Sequence, residues 1–215
     1  MMAFGIAVAT GVAVSGSAEA STVFNFRNGV NGANGSYASP TAQITIDGIG
    51  VQALAGTYAF DTIVSTTGKL VTKNNQGLGV DCAGLASLIC ANEINGGLSP
   101  DLLTLTFDQV VNFESVLFTA VDSSDDFDLF IDGILVLSDI DIAGSNPFSL
   151  AGYSGTSISF GADAGALNNN EDDFRLGSIT VSALPVPEPA TLMLLGAGLA
   201  GLGLARRRRA AAARA

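Results

Sequence analysis

The sequence predicts an all-β protein: an antiparallel β-sandwich of jelly-roll type, carried between an N-terminal signal peptide and a C-terminal transmembrane helix. Composition is the first reason. Glycine accounts for 26 of 215 residues, charged residues for 13%, tryptophan is absent, and Val, Ile, Thr and Phe recur throughout. That mixture suits short strands joined by tight turns better than long surface helices. Periodicity is the second, because apolar residues alternate over short runs bounded by Gly, Asn, Asp and Pro, and no long helical period competes. Length is the third: the chain suits one domain with targeting segments and is short for two. Three segments follow, a leader over 1–20, an exported domain over 21–184 and a sorting segment over 185–215.

The leader is read from MMAFGIAVATGVAVSGSAEA. An apolar run from Ala3 to Val14 gives way to small residues and to Ala18-Glu19-Ala20, an A-x-A processing pattern, so cleavage is expected before Ser21. No Lys or Arg precedes the apolar run. A start codon further upstream would supply one.

Within the domain, strands are expected at Thr22–Arg27, Ala42–Asp47, Ile49–Leu54, Lys69–Lys73 and Leu102–Phe107. Further strands are expected at Glu114–Val121, Phe127–Ile131, Ile134–Ser138, Ser157–Phe160 and Phe174–Ser182. Leu103, Leu105 and Phe107 point one way and Thr104 and Thr106 the other, the alternation of a half-buried antiparallel strand. Asp132-Gly133 reads as a two-residue hairpin turn, since glycine accepts the positive φ that such turns need. The Asn/Gly/Ser-rich stretch from Asn28 to Pro40 reads as a loop and is assigned no chemistry.

Charge narrows the partners. From Ser21 to Leu184 the chain has 18 acids against four bases (Arg27, Lys69, Lys73, Arg175), a net charge of −14. Such a surface repels nucleic acid, whose binding draws on Lys and Arg neutralising phosphates. Histidine is absent, which removes the usual general base and any imidazole zinc site. Cys82 and Cys90 stand close together in a chain read as exported, where a disulfide is the favoured reading over a metal or redox site.

Two acidic stretches are candidate calcium sites, Asp122, Asp125, Asp126 and Asp128 in one, and Glu171, Asp172 and Asp173 in the other. Calcium takes several carboxylate and carbonyl oxygens from loops, which these runs could supply. The alternative is a solvated acidic rim that blocks edge pairing. A third stretch also stands out, Gly77-Leu78-Gly79-Val80 followed by Glu93-Ile94-Asn95.

The C-terminal segment carries the most specific pattern. Pro185-Val186-Pro187-Glu188-Pro189 is followed by an apolar run from Ala190 to Ala205 and then by Arg206, Arg207, Arg208 and Arg209. The prolines enforce an extended linker. The run of 16 residues would span about 24 Å as a helix, somewhat less than a hydrocarbon core roughly 30 Å thick. The arginines would stay on the cytoplasmic side and leave the Pro-Glu-Pro element near the outer face.

This arrangement, VPEPATLMLLGAGLAGLGLARRRR, closely resembles the PEP-CTERM sorting signal of Gram-negative bacteria, a tail also labelled as the C-terminal domain of ice-binding proteins. The resemblance implies recognition by an exosortase, cleavage near Pro187, Glu188 and Pro189, anchoring by Arg206 to Arg209, and delivery through the secretion machinery to the cell envelope or extracellular matrix. GLGV, EIN, LTLTF and DDF together look like the jelly-roll domains often found ahead of this tail, which resemble carbohydrate-binding modules. The expected function is therefore a non-enzymatic exported protein of the envelope or exopolysaccharide matrix, with polysaccharide as the candidate ligand, calcium as the candidate cofactor, and membrane attachment through the C-terminal helix. A purely structural matrix protein is the alternative. A carboxylate-dependent glycoside hydrolase, which needs two carboxyl groups across a cleft, is the third reading.

Overall fold

The computed structural model describes residues 20–59, 62–65, 69–82, 92–96, 100–162, 172–184, 196–202 and 206. The chain forms two compact units, Met1–Leu184 and Pro185–Ala215.

The first unit is built of antiparallel strands. In chain order they are β1 (Ser21–Asn25), β2 (Gly35–Tyr37), β3 (Ile44–Ile46), β4 (Ile49–Ala59), β5 (Thr62–Ser65), β6 (Lys69–Lys73) and β7 (Leu78–Cys82). There follow β8 (Ile94–Asn95), β9 (Asp101–Thr119), β10 (Asp126–Ile131), β11 (Ile134–Asp141), β12 (Phe148–Ser149), β13 (Ser154–Gly161) and β14 (Asp173–Ala183). The main path of pairing runs β11-β10-β13-β9-β14-β7-β6-β2, with β1 and β8 on β14, β12 on β9, and β3 and β5 on β4, which also pairs β9. The expected antiparallel all-β class is found.

β9 organises the sheet. The sequence suggests two strands here, Leu102–Phe107 and Glu114–Val121, whereas the chain stays extended through both. Its first half pairs with β4 on one side and β13 on the other, and its second half pairs with β14. Between the halves Asp108, Gln109 and Val110 are exposed. They remain extended because the Asp108 carboxylate accepts the Gly50 N–H at 2.9 Å and the Gln43 side-chain amide at 3.2 Å, which fastens the crossing to β4.

The alternation read from the sequence holds along β9: Leu103, Leu105 and Phe107 are buried and Thr104 and Thr106 only partly so. These side chains enter one core rich in phenylalanine. Phe118 is 1% exposed and its ring lies 4.9, 5.4 and 5.2 Å from those of Phe127, Phe160 and Phe174, two of them edge to face. Rings in such arrangements add to the burial of their area.

Two hairpins close by the same chemistry. Asp132 and Gly133 have φ of 48° and 80° and join Ile131 to Ile134, as expected. Asp47 and Gly48, with φ of 50° and 80°, do the same between Ile46 and Ile49. Asp132 also anchors the neighbouring strand, because its carboxylate accepts the N–H groups of Thr156 and Ser157 at 2.9 and 2.8 Å.

The first and last strands lie side by side, with Ser21 opposite Ser182 and Asn25 opposite Ser178. β1 thus begins at the residue that the expected leader cleavage would place first. Residues 1–19 of the expected leader lie outside the described residues.

In the second unit a helix covers 196–202. It falls inside the run expected to span the membrane, whose residues 190–195 and 203–205 lie outside the described set. Among the described residues no helix is long and apolar enough to cross a membrane.

Candidate functional site

Three of the segments that carry the resemblance, GLGV, EIN and DDF, meet at the start of β14. Gly77-Leu78-Gly79-Val80 forms the start of β7, Glu93-Ile94-Asn95 forms β8 and the residue before it, and Asp173-Phe174-Arg175 opens β14. Asp173 and Phe174 pair with Asn95 and Ile94, and Leu176 pairs with Leu78.

Both glycines are required by close backbone approach. A Cβ on Gly79 would lie 2.2 Å from the Asn92 carbonyl oxygen, and one on Gly77 would lie 2.2 Å from that of Leu176. Without a side chain at 79, the 92–93 segment lies across β6 and β7. There the Val80 N–H donates to the Glu93 carbonyl at 3.2 Å and the Thr72 hydroxyl donates to the Asn92 carbonyl at 3.1 Å. Nearby, Asp101 at the head of β9 receives the Lys69 ammonium at 2.6 Å and the Asn95 N–H at 3.3 Å.

This packing leaves a polar cleft of about 440 Å³. It is lined by Gly35 and Ser36 from β2, Thr72 and Lys73 from β6, Asn74, Asn92 and Glu93, and Arg175 from β14. Two of the domain's four bases therefore lie in one cleft. Arg175 is 3% exposed. Its Nε stands 3.5 Å from Glu93 Oε1, close enough for ion pairing, but makes no hydrogen bond, while one terminal N–H donates to the Gly77 carbonyl at 3.5 Å. Burial pulls the Arg175 guanidinium below the ordinary arginine value, and the Glu93 charge opposes that shift. Lys73, 5% exposed, is likewise lowered by burial.

Chemically, the cleft presents donors, acceptors and paired hydroxyl and amide groups on a rigid sheet. A buried guanidinium nitrogen without a hydrogen bond is costly unless something accepts from it. Sequence reasoning did not single out Ser36, Thr72, Lys73, Asn74 or Asn92. The scarcity of bases was the one available signal, since each of four lone cations in an acidic domain needs a placement of its own.

The acidic stretches occupy a different place. Asp125 is fully buried and Asp172 is 6% exposed. Asp125 accepts the Asp122 and Asp173 N–H groups, the latter at 3.1 Å, and Asp172 accepts the Asp126 N–H at 3.1 Å. The two clusters are thereby joined. Burial pushes the Asp125 carboxyl up despite these hydrogen bonds, and the Asp122 charge adds to the rise. Asp122, exposed, is held below the usual carboxylate range by the Ser124 N–H and hydroxyl. Asp128, buried, accepts the Asp139 N–H at 3.0 Å, where a positive φ of 53° and a register shift mark a bulge in β11. Among the described residues no group of three or more acids is arranged to hold a metal ion. Glu171 lies outside the described residues.

Of the remaining expected site residues, Cys82 ends β7 by its backbone, and its side chain and Cys90 lie outside the described residues. The same holds for Pro187, Glu188, Pro189, Arg207, Arg208 and Arg209, whereas Arg206 is described as helical and exposed.

No curated protein and no solved structure matches the chain. Residues 185–209 match the family described as the PEP-CTERM protein-sorting motif, which supports an exported, exosortase-sorted protein carrying its sorting signal at the C-terminus.

Proposed function

We propose that this chain is a non-enzymatic protein of the cell envelope or exopolysaccharide matrix whose domain, a jelly roll of carbohydrate-binding-module type, binds glycan in the polar cleft. The sorting motif supports export and sorting by exosortase. After passage through the secretion machinery, the C-terminal segment holds the chain at the membrane until exosortase acts near Pro187, Glu188 and Pro189.

The single observation behind the ligand is the cleft itself, about 440 Å³ and lined by Ser36, Thr72, Asn74 and Asn92 beside the Glu93–Arg175 ion pair. Sugar hydroxyls both donate and accept. One can donate to the Glu93 carboxylate, and Ser36, Asn74 and Asn92 can bond the remainder. Orientation by a few placed polar groups is how such pockets gain specificity.

The test is a polysaccharide binding isotherm with the full chain and with Glu93→Gln and Ser36→Ala, checked by thermal melts for intact folding. Saturable binding that weakens by roughly tenfold in Glu93→Gln, the loss of about one charged hydrogen bond, supports the reading. Absence of saturable binding to every polysaccharide tried would assign a purely structural matrix role. Turnover of a polysaccharide, abolished when a cleft carboxylate becomes an amide, would mark an enzyme instead.

A further inference from the structure

Asparagine is followed by glycine four times in the chain, at Asn28-Gly29, Asn31-Gly32, Asn34-Gly35 and Asn95-Gly96. Such a pair can rearrange without an enzyme, because a glycine nitrogen, with no Cβ beside it, can approach the asparagine side-chain carbonyl closely. For the succinimide ring to close, the nitrogen of the next residue must swing to the same side of Cα as Cβ. Backbone conformation therefore decides which pair reacts.

Asn28 and Asn31 have φ of 53° and 56°, in the left-handed region where ψ is about +47°. There the next nitrogen lies almost opposite Cβ, and the ring cannot close until that conformation is given up. Both residues are also held. The Val30 N–H donates to the Arg27 carbonyl at 3.0 Å, closing a turn over Asn28 and Gly29, and the Asn31 side-chain amide donates to the Asn25 carbonyl at 2.9 Å. At Asn95 the attacking group is engaged, since the Gly96 N–H donates to the Asp172 carbonyl at 2.9 Å.

Asn34 is placed differently. Its φ is not positive, it is exposed, and it precedes β2, a strand of three residues at the end of the main pairing path. Strand ends of this kind open at little cost. A Cβ on Gly35 would meet nothing within 4 Å, so there is room around the attacking residue. The Asn34 side-chain amide donates to the Asn75 side-chain carbonyl at 2.8 Å, which engages the nitrogen that leaves and not the carbon that is attacked.

We propose that Asn34 is a site of spontaneous deamidation, with water as the co-reactant. The Gly35 nitrogen, its proton lost to solvent base, bonds to Asn34 Cγ. The Cγ–Nδ2 bond breaks, and the amide nitrogen takes a proton from solvent and leaves as ammonia. Water then opens the cyclic imide. If the bond from Cγ to the Gly35 nitrogen breaks, the product is aspartate; if the bond from the main-chain carbonyl carbon breaks, it is isoaspartate, with the chain running through Cβ. Neither carboxylate can donate to Asn75, so the tie between this loop and the β6–β7 turn is lost beside Gly35 and Ser36, which line the polar cleft. The chemistry does not depend on what the cleft binds.

The experiment incubates the detergent-solubilised full chain at mildly alkaline pH in heavy-oxygen water, with a parallel sample in urea. Peptide mapping by mass spectrometry follows amide-to-acid conversion at each Asn-Gly pair, and a thermal melt checks that the first sample stays folded. In the folded chain Asn34 is expected to convert about fivefold faster than Asn28, Asn31 or Asn95, the rate ratio set by giving up roughly one backbone hydrogen bond. Both acid forms should carry the heavy oxygen. In urea, Asn28, Asn31 and Asn34 should converge, because the fold no longer restrains them. Asn28, Asn31 or Asn95 converting as fast as Asn34 in the folded chain would overturn the proposal. So would an Asn34 that stays intact while the urea sample converts, or a preference for Asn34 that persists in urea.

Discussion

Asp125 and Asp172 exchange backbone hydrogen bonds: each carboxylate accepts the N–H of the residue that follows the other, both at 3.1 Å. The loop before β10 and the start of β14 are 47 positions apart in sequence, yet this pair fixes one against the other. Both acids cap backbone amides in the structure.

Removing either acceptor takes a carboxylate from a half-buried N–H. Asp125→Ala and Asp172→Ala should each lower stability by about 2 kcal/mol, the cost of a lost charge-assisted hydrogen bond. The double variant should cost less than the two together, since the pair acts as one unit. Urea unfolding of the three variants measures both quantities.

Because these oxygens already receive N–H donors, calcium should add little. Thermal melts in millimolar calcium and in chelator are expected to agree within about 1 °C. A native-state ligand would instead raise the midpoint with its concentration.

Two carboxylates should give opposite pH dependences. At Asp132 burial raises the carboxyl, but the hydrogen bonds from Ser157 and Thr156 outweigh it and hold the group below its ordinary value. Its stabilisation is therefore present above about pH 3.9, the unfolded value, and is lost as pH falls through the depressed native one. Asp101 is raised by burial in spite of Lys69, with Asp81 adding to the rise. Its contribution is full below the unfolded value and is lost as pH rises through the native one. Stability measured against pH should lose its acid-side slope in Asp132→Asn, and in Asp101→Asn the fall that begins above the unfolded value of about 3.9.

Gly79→Ala would force a methyl group against the Asn92 carbonyl, a backbone atom with nowhere to retreat. We expect destabilisation of about 1–3 kcal/mol, typical of overpacking, together with a distorted cleft. Gly144→Ala, whose nearest neighbour would be the Asp141 carboxylate at 3.5 Å, should be close to neutral by comparison. Chemical unfolding of both proteins provides the check.

Phe118→Ala should be the most damaging single core change. It empties the position where three other rings converge and should cost about 3–5 kcal/mol, read from the midpoint of denaturant unfolding.

The strand class and most long strands were legible because alternation and turn chemistry are local. Lys69–Lys73 and the Asp132-Gly133 hairpin follow directly from their own residues. β2 was hidden within a stretch of Asn, Gly and Ser, since Gly35–Tyr37 is a strand only because β6 lies beside it. β8 and β12, two residues each, are likewise made by their neighbours. The continuity of β9 depends on Asp108 reaching Gly50, a contact 58 positions apart that no window displays. The cleft was half visible. Glu93 stood in a motif, but only the fold brings Arg175 beside it.

The adjacency of β1 and β14 bears on how the protein is made. Of the described strands, the first to be synthesised waits for a partner that is made last. Closing so long a loop comes late and slowly, so the sheet's seam is sealed only once β14 has been made.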